Sequence, residues 1–426
     1  MRHPFARLGL ALLLAGATAL SSARPPSTGS AAPTPTQWAT SWIAPAQPLW
    51  DSGFALPLGM PQPLQDVTVR QHLRVSVGGE RLRLVVSNEY GRSPLRVASA
   101  HVAFDASGAA GASVAGAYAS FQGSKQITVA AGAKALSDPI PVAVPAGARL
   151  RVDLYLPDRT PIAGFHWDAR DQTQLLPGNV AGRAAAQGGE KLATRAFLSA
   201  VLVESARAPV AVVALGDSIT DGNGSTPGAD HRWPDFLARR LAPRGVAVLN
   251  AGISGNRLLS PGMGESALAR LERDALQHPG VRAVIVLLGT NDIGWPGAAF
   301  APNEALPPLS SLTDGLRQLI EQARVRGVRV IGGTLMPFED ALKDTPLEGH
   351  YSPQKEALRQ RLNEWIRHAG AFDAVVDFDR LARDPSRPTR LRAAFDSGDH
   401  LHPGDSGYRA MADSIDLRVL LGPDHE

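Results

Sequence analysis

Ser218 stands in Gly216-Asp217-Ser218, directly after the apolar run Val210-Ala211-Val212-Val213-Ala214-Leu215. A run of small and β-branched residues bounded by Pro209 and Gly216 reads as a strand buried on both faces, as in a parallel sheet. The serine then lies at the strand's carboxyl end, where open α/β sheets bind ligands, and is placed to act as a nucleophile. The same tripeptide also has a plain structural use, with Asp217 or Ser218 capping the next helix. Three further stretches carry hydrogen-bonding or titratable groups: Asn250-Ala251-Gly252-Ile253-Ser254-Gly255-Asn256-Arg257, Gly289-Thr290-Asn291-Asp292, and Asp399-His400-Leu401-His402-Pro403. Serine, imidazole and carboxylate suit nucleophilic catalysis. His400 and His402 with Asp396, Asp399 and Asp405 also resemble a metal cluster, but the first strand lacks the carboxylate-plus-His pattern that a two-metal hydrolase wants.

The elements that must position these groups alternate from Ala206 onward. Strand candidates are Val210 to Leu215, Val246 to Asn250, Ala283 to Leu288, Val328 to Gly333 and Ala374 to Phe378. Helix candidates lie near Pro234 to Leu241, Ala267 to Leu276, Leu309 to Arg326, Pro353 to His368 and Asp405 to Leu417. Such alternation predicts a parallel sheet covered on both faces, with right-handed crossovers bringing every strand's carboxyl end to one edge. The four stretches follow the first, second, third and fifth strands, so they should meet in one crevice. Asp377 and Asp379 close the fifth strand and read as structural or capping groups, while His231 and Trp233 read as packing.

Residues 37–205 differ in texture. Val67 to Val77 and Arg81 to Ser87 alternate with period two around Gly78-Gly79, which predicts a β-hairpin. Further strands are expected at Leu95 to Phe104, Lys125 to Val129, Arg149 to Leu156 and Ala196 to Val203, giving a β-sandwich of jelly-roll type. Its Trp38, Trp42, Trp50 and Trp167 are read as core or interface residues in preference to sugar-stacking platforms. Ahead of this region, Arg2 and Arg7 precede an apolar stretch from Leu8 to Leu20 and the small residues Ser21-Ser22-Ala23. That pattern predicts an export signal over 1–23, too short for a stable membrane span, and a Pro/Ser-rich linker over 24–36. The protein is therefore expected in a bacterial periplasm or outside the cell, without stable membrane insertion once the signal is removed. The chain has 426 residues, 44% of them hydrophobic and no cysteine, so stability is expected from core burial without disulfides. A net charge of +3, much of it carried by Arg2 and Arg7, gives no electrostatic case for nucleic acid.

Taken together, Gly216-Asp217-Ser218, the glycine-rich turn ending at Gly255, Gly289-Thr290-Asn291-Asp292 and Asp399-x-x-His402-Pro403 resemble the four blocks of the SGNH, or GDSL-type, serine hydrolases, in that family's order. The bacterial exported form with an N-terminal β-domain is the variety it is similar to. The resemblance implies a flavodoxin-like three-layer α/β/α domain over 206–426, following the β-sandwich of 37–205. Thr220 stands two residues after Ser218, where the G-x-S-x-G elbow of α/β-hydrolases needs glycine. The resemblance further implies Ser218 as nucleophile, His402 as its base and Asp399 as the partner that fixes the imidazole tautomer. It implies an oxyanion hole from the Ser218 and Gly255 N–H groups and the Asn291 side chain, each donor worth about 3 kcal/mol in the transition state. Arg257 and Trp295 are candidate substrate contacts, and neither cofactor nor metal is implied. The expected partner is a small-molecule or glycan ester. Few aromatic residues (6%) and no evident apolar lid favour a carbohydrate O-acetylester over lipid or aryl esters. A glycan-binding protein with an inactive hydrolase fold is a rival reading, against which the intact Ser218, Asp399 and His402 speak.

Overall fold

The apolar run before Ser218 forms a strand, Val210–Gly216, in which Val212, Val213, Ala214 and Leu215 are fully buried. A computed structural model describes residues 37–105, 116–184, 186 and 188–422, so the expected export signal and linker lie outside the described residues. The strand is the second from one edge of a five-stranded sheet, between Val246–Gly252 and Val281–Leu287; Arg329–Gly333 and Ala374–Val376 complete the other side. All pairings are parallel, and Gly216 lies level with Gly252 and Leu287. In chain order the strands therefore run second, first, third, fourth, fifth. The crossover from first to second heads toward one edge and the later ones toward the other, so right-handed connections place helices on opposite faces. This is the flavodoxin-like arrangement, and its switch point lies between the first and third strands.

The helices follow the expected pattern: Trp233–Leu241, Leu309–Val325 and Pro353–His368 hold as single helices. The stretch from Ala267 is an α-turn, Ala267–Leu271, that widens to a π-helix over Glu272–Leu276. The final helix is broken into Asp405–Asp413 and Leu417–Leu421, the second piece capped by Asp416.

The β-rich region contains a four-stranded antiparallel sheet (Gln37–Ile43, Leu198–Ser205, Leu82–Ser87, Lys134–Leu136) and a six-stranded one built around Val67–Arg74 and Arg149–Leu156. The expected hairpin is corrected here. Val67–Arg74 and Leu82–Ser87 are both strands, but they belong to different sheets, and Gly78-Gly79 carries the chain from one to the other. The glycines are needed for close backbone approach: a Cβ on Gly78 would lie 2.3 Å from Val144 O, and one on Gly79 would lie 2.2 Å from Glu204 O. The expected strand from Leu95 likewise divides between sheets, as Leu95–Val97 and Ser99–Phe104.

The described residues belong to one compact unit, and a single apolar cluster runs from Ala39 to Leu421 through both the antiparallel and the parallel layers. Gln37–Ile43 packs along Val246–Gly252, the edge strand of the parallel sheet. The Ser76 hydroxyl accepts a hydrogen bond from Val248 N at 3.2 Å, so the antiparallel part covers an edge that would otherwise be open to pairing.

Candidate active site

The turn after Val210–Gly216 is set by sterics and capping. A Cβ on Gly216 would lie 2.1 Å from Thr220 Oγ1, so the chain can fold back tightly only with glycine there. Asp217 caps the short helix Ser218–Asp221 by accepting from Ile219 N at 3.0 Å, and Gly222 ends it at a φ of 113°. Capping and chemistry thus share the tripeptide. Ser218 occupies the first helical position, where its own N–H has no carbonyl partner within the helix.

Across the sheet edge, Ser218 Oγ lies 2.7 Å from His402 Nε2, and His402 Nδ1 lies 2.6 Å from Asp399 Oδ2. The other Asp399 oxygen accepts from His402 N at 2.8 Å and Leu401 N at 2.9 Å, which pins the carboxylate beneath the ring. Burial pushes the Asp399 carboxyl up, but the hydrogen bond and charge of His402 with these two N–H groups outweigh it and hold the group well below the usual range. An ionised Asp399 favours the tautomer with Nδ1 protonated, leaving Nε2 to accept the serine proton. His400, two residues from His402, faces away into a separate pair with Asp396 at 2.5 Å.

The second and third strand ends supply amide donors. Gly255 has a φ of 69°, and a Cβ there would lie 2.3 Å from Met263 Sδ and 2.9 Å from Trp295 Cζ2, so both backbone and space require glycine. Asn291 donates one Nδ2 hydrogen to Asn256 O at 3.0 Å, which orients its amide and leaves the second hydrogen directed elsewhere. Asp292 ties the two turns together by accepting from Leu258 N at 2.8 Å and Leu259 N at 3.0 Å. Burial raises its pKa, and that of Asp217, which is pushed up to about 7 with one carboxylate oxygen lacking a partner.

The remaining sequence candidates are placed inside the protein. Arg257 pairs with Glu304 at 2.6 Å and lies 5.1 Å from the Trp295 ring, itself only 2% exposed. Arg257 also donates to Pro261 O, so two of its donors are held within the protein, and Trp295 packs beside the glycine-rich turn. Asp377 caps Phe378–Ala382 and pairs with Arg367, Asp379 pairs with Arg359, and Trp233 packs on Phe378, all as expected. Trp42 is buried under Arg195 and Trp50 donates to Met263 O at 2.7 Å, in keeping with a core and interface role.

Three neighbours have no local pattern that would mark them in the sequence. Asp221 accepts at one carboxylate oxygen from Ser254 N and Ser254 Oγ, at 3.1 and 2.8 Å. Its other oxygen lies 3.0 Å from Nε2 of His166, a residue of the β-rich region. His350 is buried against Gly294, and burial, with the charges of Lys355 and His402, pushes its pKa down to about 3, so it is neutral beside the serine–histidine pair.

Residues 214–410 match the model of the GDSL-like Lipase/Acylhydrolase family. Among the curated proteins none matches the chain. Solved structures similar to it include a GDSL-like lipase from Bacteroides thetaiotaomicron, 19% identical over 50% of this chain and 91% of the other, with a TM-score of 0.37. A carbohydrate acetylesterase from Sinorhizobium meliloti is 18% identical over 49% of this chain and 98% of its own, with a TM-score of 0.38. An aryl esterase of M. smegmatis is 18% identical over 50% of this chain and 100% of its own, also at 0.38.

Proposed function

We propose, from the match of residues 214–410 to the GDSL-like Lipase/Acylhydrolase family, that the protein hydrolyses carboxylic esters through an acyl-serine on Ser218. The observation that carries this reading is the unbroken chain from Ser218 Oγ to His402 to Asp399, at 2.7 and 2.6 Å. Ser218 Oγ attacks the ester carbonyl carbon as His402 Nε2 takes its proton, and the carbonyl electrons move onto oxygen. The N–H groups of Ser218 and Gly255 and the free Asn291 amide hydrogen stabilise that oxyanion. Collapse expels the alcohol, which receives the proton from Nε2. Water then repeats the sequence: its oxygen attacks the acyl carbon as His402 Nε2 takes its proton, the acyl–Oγ bond breaks, Ser218 Oγ takes that proton from Nε2, and a carboxylic acid is released.

The substrate class favoured is an O-acetylated carbohydrate, supported by the low aromatic content of 6%. The leader-like N-terminus supports export to a periplasm or the exterior, and among the described residues no helix is long and apolar enough to cross a membrane. Initial rates on aryl esters of graded acyl length, run beside acetylated xylan, pectin and alginate, test the substrate. Preference for acetyl and release of acetate from polysaccharide are expected; rates that climb with acyl length would assign a lipase instead. An organophosphonate should label the protein once, at Ser218, and Ser218→Ala should abolish both label and turnover. An inactive glycan-binding protein would show neither label nor turnover.

A further inference from the structure

His166 lies in the short strand Gly164–His166, which pairs on one side with Arg195–Ala196 and on the other with Gln47–Pro48, wholly within the β-rich region. Its ring is buried, with Nδ1 2.9 Å from Pro45 O and Nε2 3.0 Å from Asp221 Oδ1. Asp221 is 1% exposed and is the last residue of the helix that begins with Ser218. Its second oxygen accepts both the N–H and the hydroxyl of Ser254, the residue immediately before Gly255. A continuous polar path therefore runs from the β-rich region to the glycine-rich turn.

The same turn is held at a second point from the same side. Gln47 Nε2 and Trp50 Nε1 both donate to Met263 O at 2.7 Å, and the Met263 side chain fills the space that a Cβ on Gly255 would take. Gln47 is itself fixed, since its Oε1 accepts from Trp167 N at 2.7 Å. A buried carboxylate that loses a partner must find another or move, and here the group that moves with it is an oxyanion donor. Donors to a developing oxyanion act only when held within a fraction of an ångström of their working position.

We propose that His166 is a positioning residue of the hydrolytic site: through Asp221 and Ser254 it sets the turn that presents the Gly255 N–H, so the oxyanion hole is completed by the β-rich region. This rests on the ester-hydrolase reading above. The role belongs to the transition state, so it shows in kcat more than in KM.

The experiment uses the full chain and expresses turnover per phosphonate-labelled Ser218, so that a smaller folded fraction does not count as slower chemistry. His166→Ala should lower kcat about tenfold or more on a small aryl ester, with KM within about twofold. Ser254→Ala, which removes one hydroxyl and leaves the backbone contact, should show part of the same loss, and the double variant should be little worse than His166→Ala. Affinity for an acetyl-type trifluoromethyl ketone, which forms an oxyanion on Ser218, should fall in step with kcat. Asp221→Asn should behave like His166→Ala. Arg149→Ala, which removes a contact between the β-rich region and Asp230 away from the turn, should lower the melting temperature while leaving kcat per labelled site unchanged. Wild-type kcat and ketone affinity in Ser254→Ala overturn the proposal even where His166→Ala does not fold. A wild-type protein with no Ser218-dependent turnover or label overturns the ester-hydrolase reading and this inference with it; an active wild type with unaffected variants overturns the inference alone.

Discussion

Two histidines stand two residues apart after the last strand, and their surroundings assign them different work. His402 lies between Ser218 and Asp399, whereas His400 is half-exposed and paired with Asp396. His402→Ala should therefore be nearly as damaging as Ser218→Ala, and the double variant little worse than either, because the pair acts as a unit. His400→Ala should keep most activity; steady-state rates on one aryl ester check all four proteins. On the proposed mechanism, in which its second amide hydrogen serves the oxyanion and not the ground-state ester, Asn291→Ala should lower kcat by about 10²–10³-fold with little change in KM. Asp217 gives a pH signature. Burial raises its pKa in the folded protein from 3.8 to about 7, so the folded state binds this proton more tightly than the unfolded chain. The associated stability is full below the unfolded value and is lost as pH rises through the folded one. Asp217→Asn keeps an oxygen to cap Ile219 and cannot ionise. Its melting temperature relative to wild type should rise between pH 4 and pH 8, and a constant difference would contradict the burial argument. Ser218 and Asn291 could be placed just after strands from the sequence, and Asp399-x-x-His402 by its resemblance to a family block; the hydrogen-bonded chain that joins Ser218, His402 and Asp399 is what the structure adds. His166 was not legible, since its meaning comes from Asp221, 55 residues further on, and nothing local to Gly164-Phe165-His166-Trp167 announces that partner.

At the scale of elements, parallel strands were easier to read than antiparallel ones. Val210–Gly216 is buried on both faces and so appears as an uninterrupted apolar run, and its neighbours in the sheet read the same way. In the β-rich region, period-two alternation identified strands but not their partners, because alternation records which side faces the core and not which strand lies alongside. Gly78-Gly79 shows the consequence: the composition of a hairpin turn, used where the chain passes from one sheet to another. The two readings require glycine for different reasons. A two-residue hairpin tip needs it for left-handed backbone angles, which neither Gly78 nor Gly79 adopts, whereas here a Cβ on Gly79 would meet Glu204 O at 2.2 Å. Gly79→Ala should therefore destabilise the protein by roughly 1–3 kcal/mol, read from denaturant unfolding, as overpacking does in a filled interior. An unchanged midpoint would contradict that close contact.

The whole molecule joins its two textures more closely than a change of composition at Ala206 suggests. Only Ala206, Arg207, Ala208 and Pro209 separate Leu198–Ser205 from Val210–Gly216, and the apolar cluster is continuous across them. Deleting residues 37–205 should therefore leave a fragment that is insoluble or melts far lower than the full chain, because it bares the edge of Val246–Gly252 and the apolar surface beside it. Expression from Ala206 onward, with melting temperature and turnover on aryl and polysaccharide esters, decides this. A soluble fragment that keeps its aryl-ester rate and loses only polysaccharide activity would make the β-rich region an appended binding module. The legibility of the domains has the same limit: texture revealed two kinds of architecture, while their shared core depends on contacts between residues far apart in the chain. That distance also bears on biosynthesis. Ser218 and His402 are 184 residues apart, so a growing polypeptide that has not reached the second carries the serine without the base that pairs with it. On the acyl-serine reading the unfinished chain should therefore be inert toward esters, and competence should come only with the segment after the last strand.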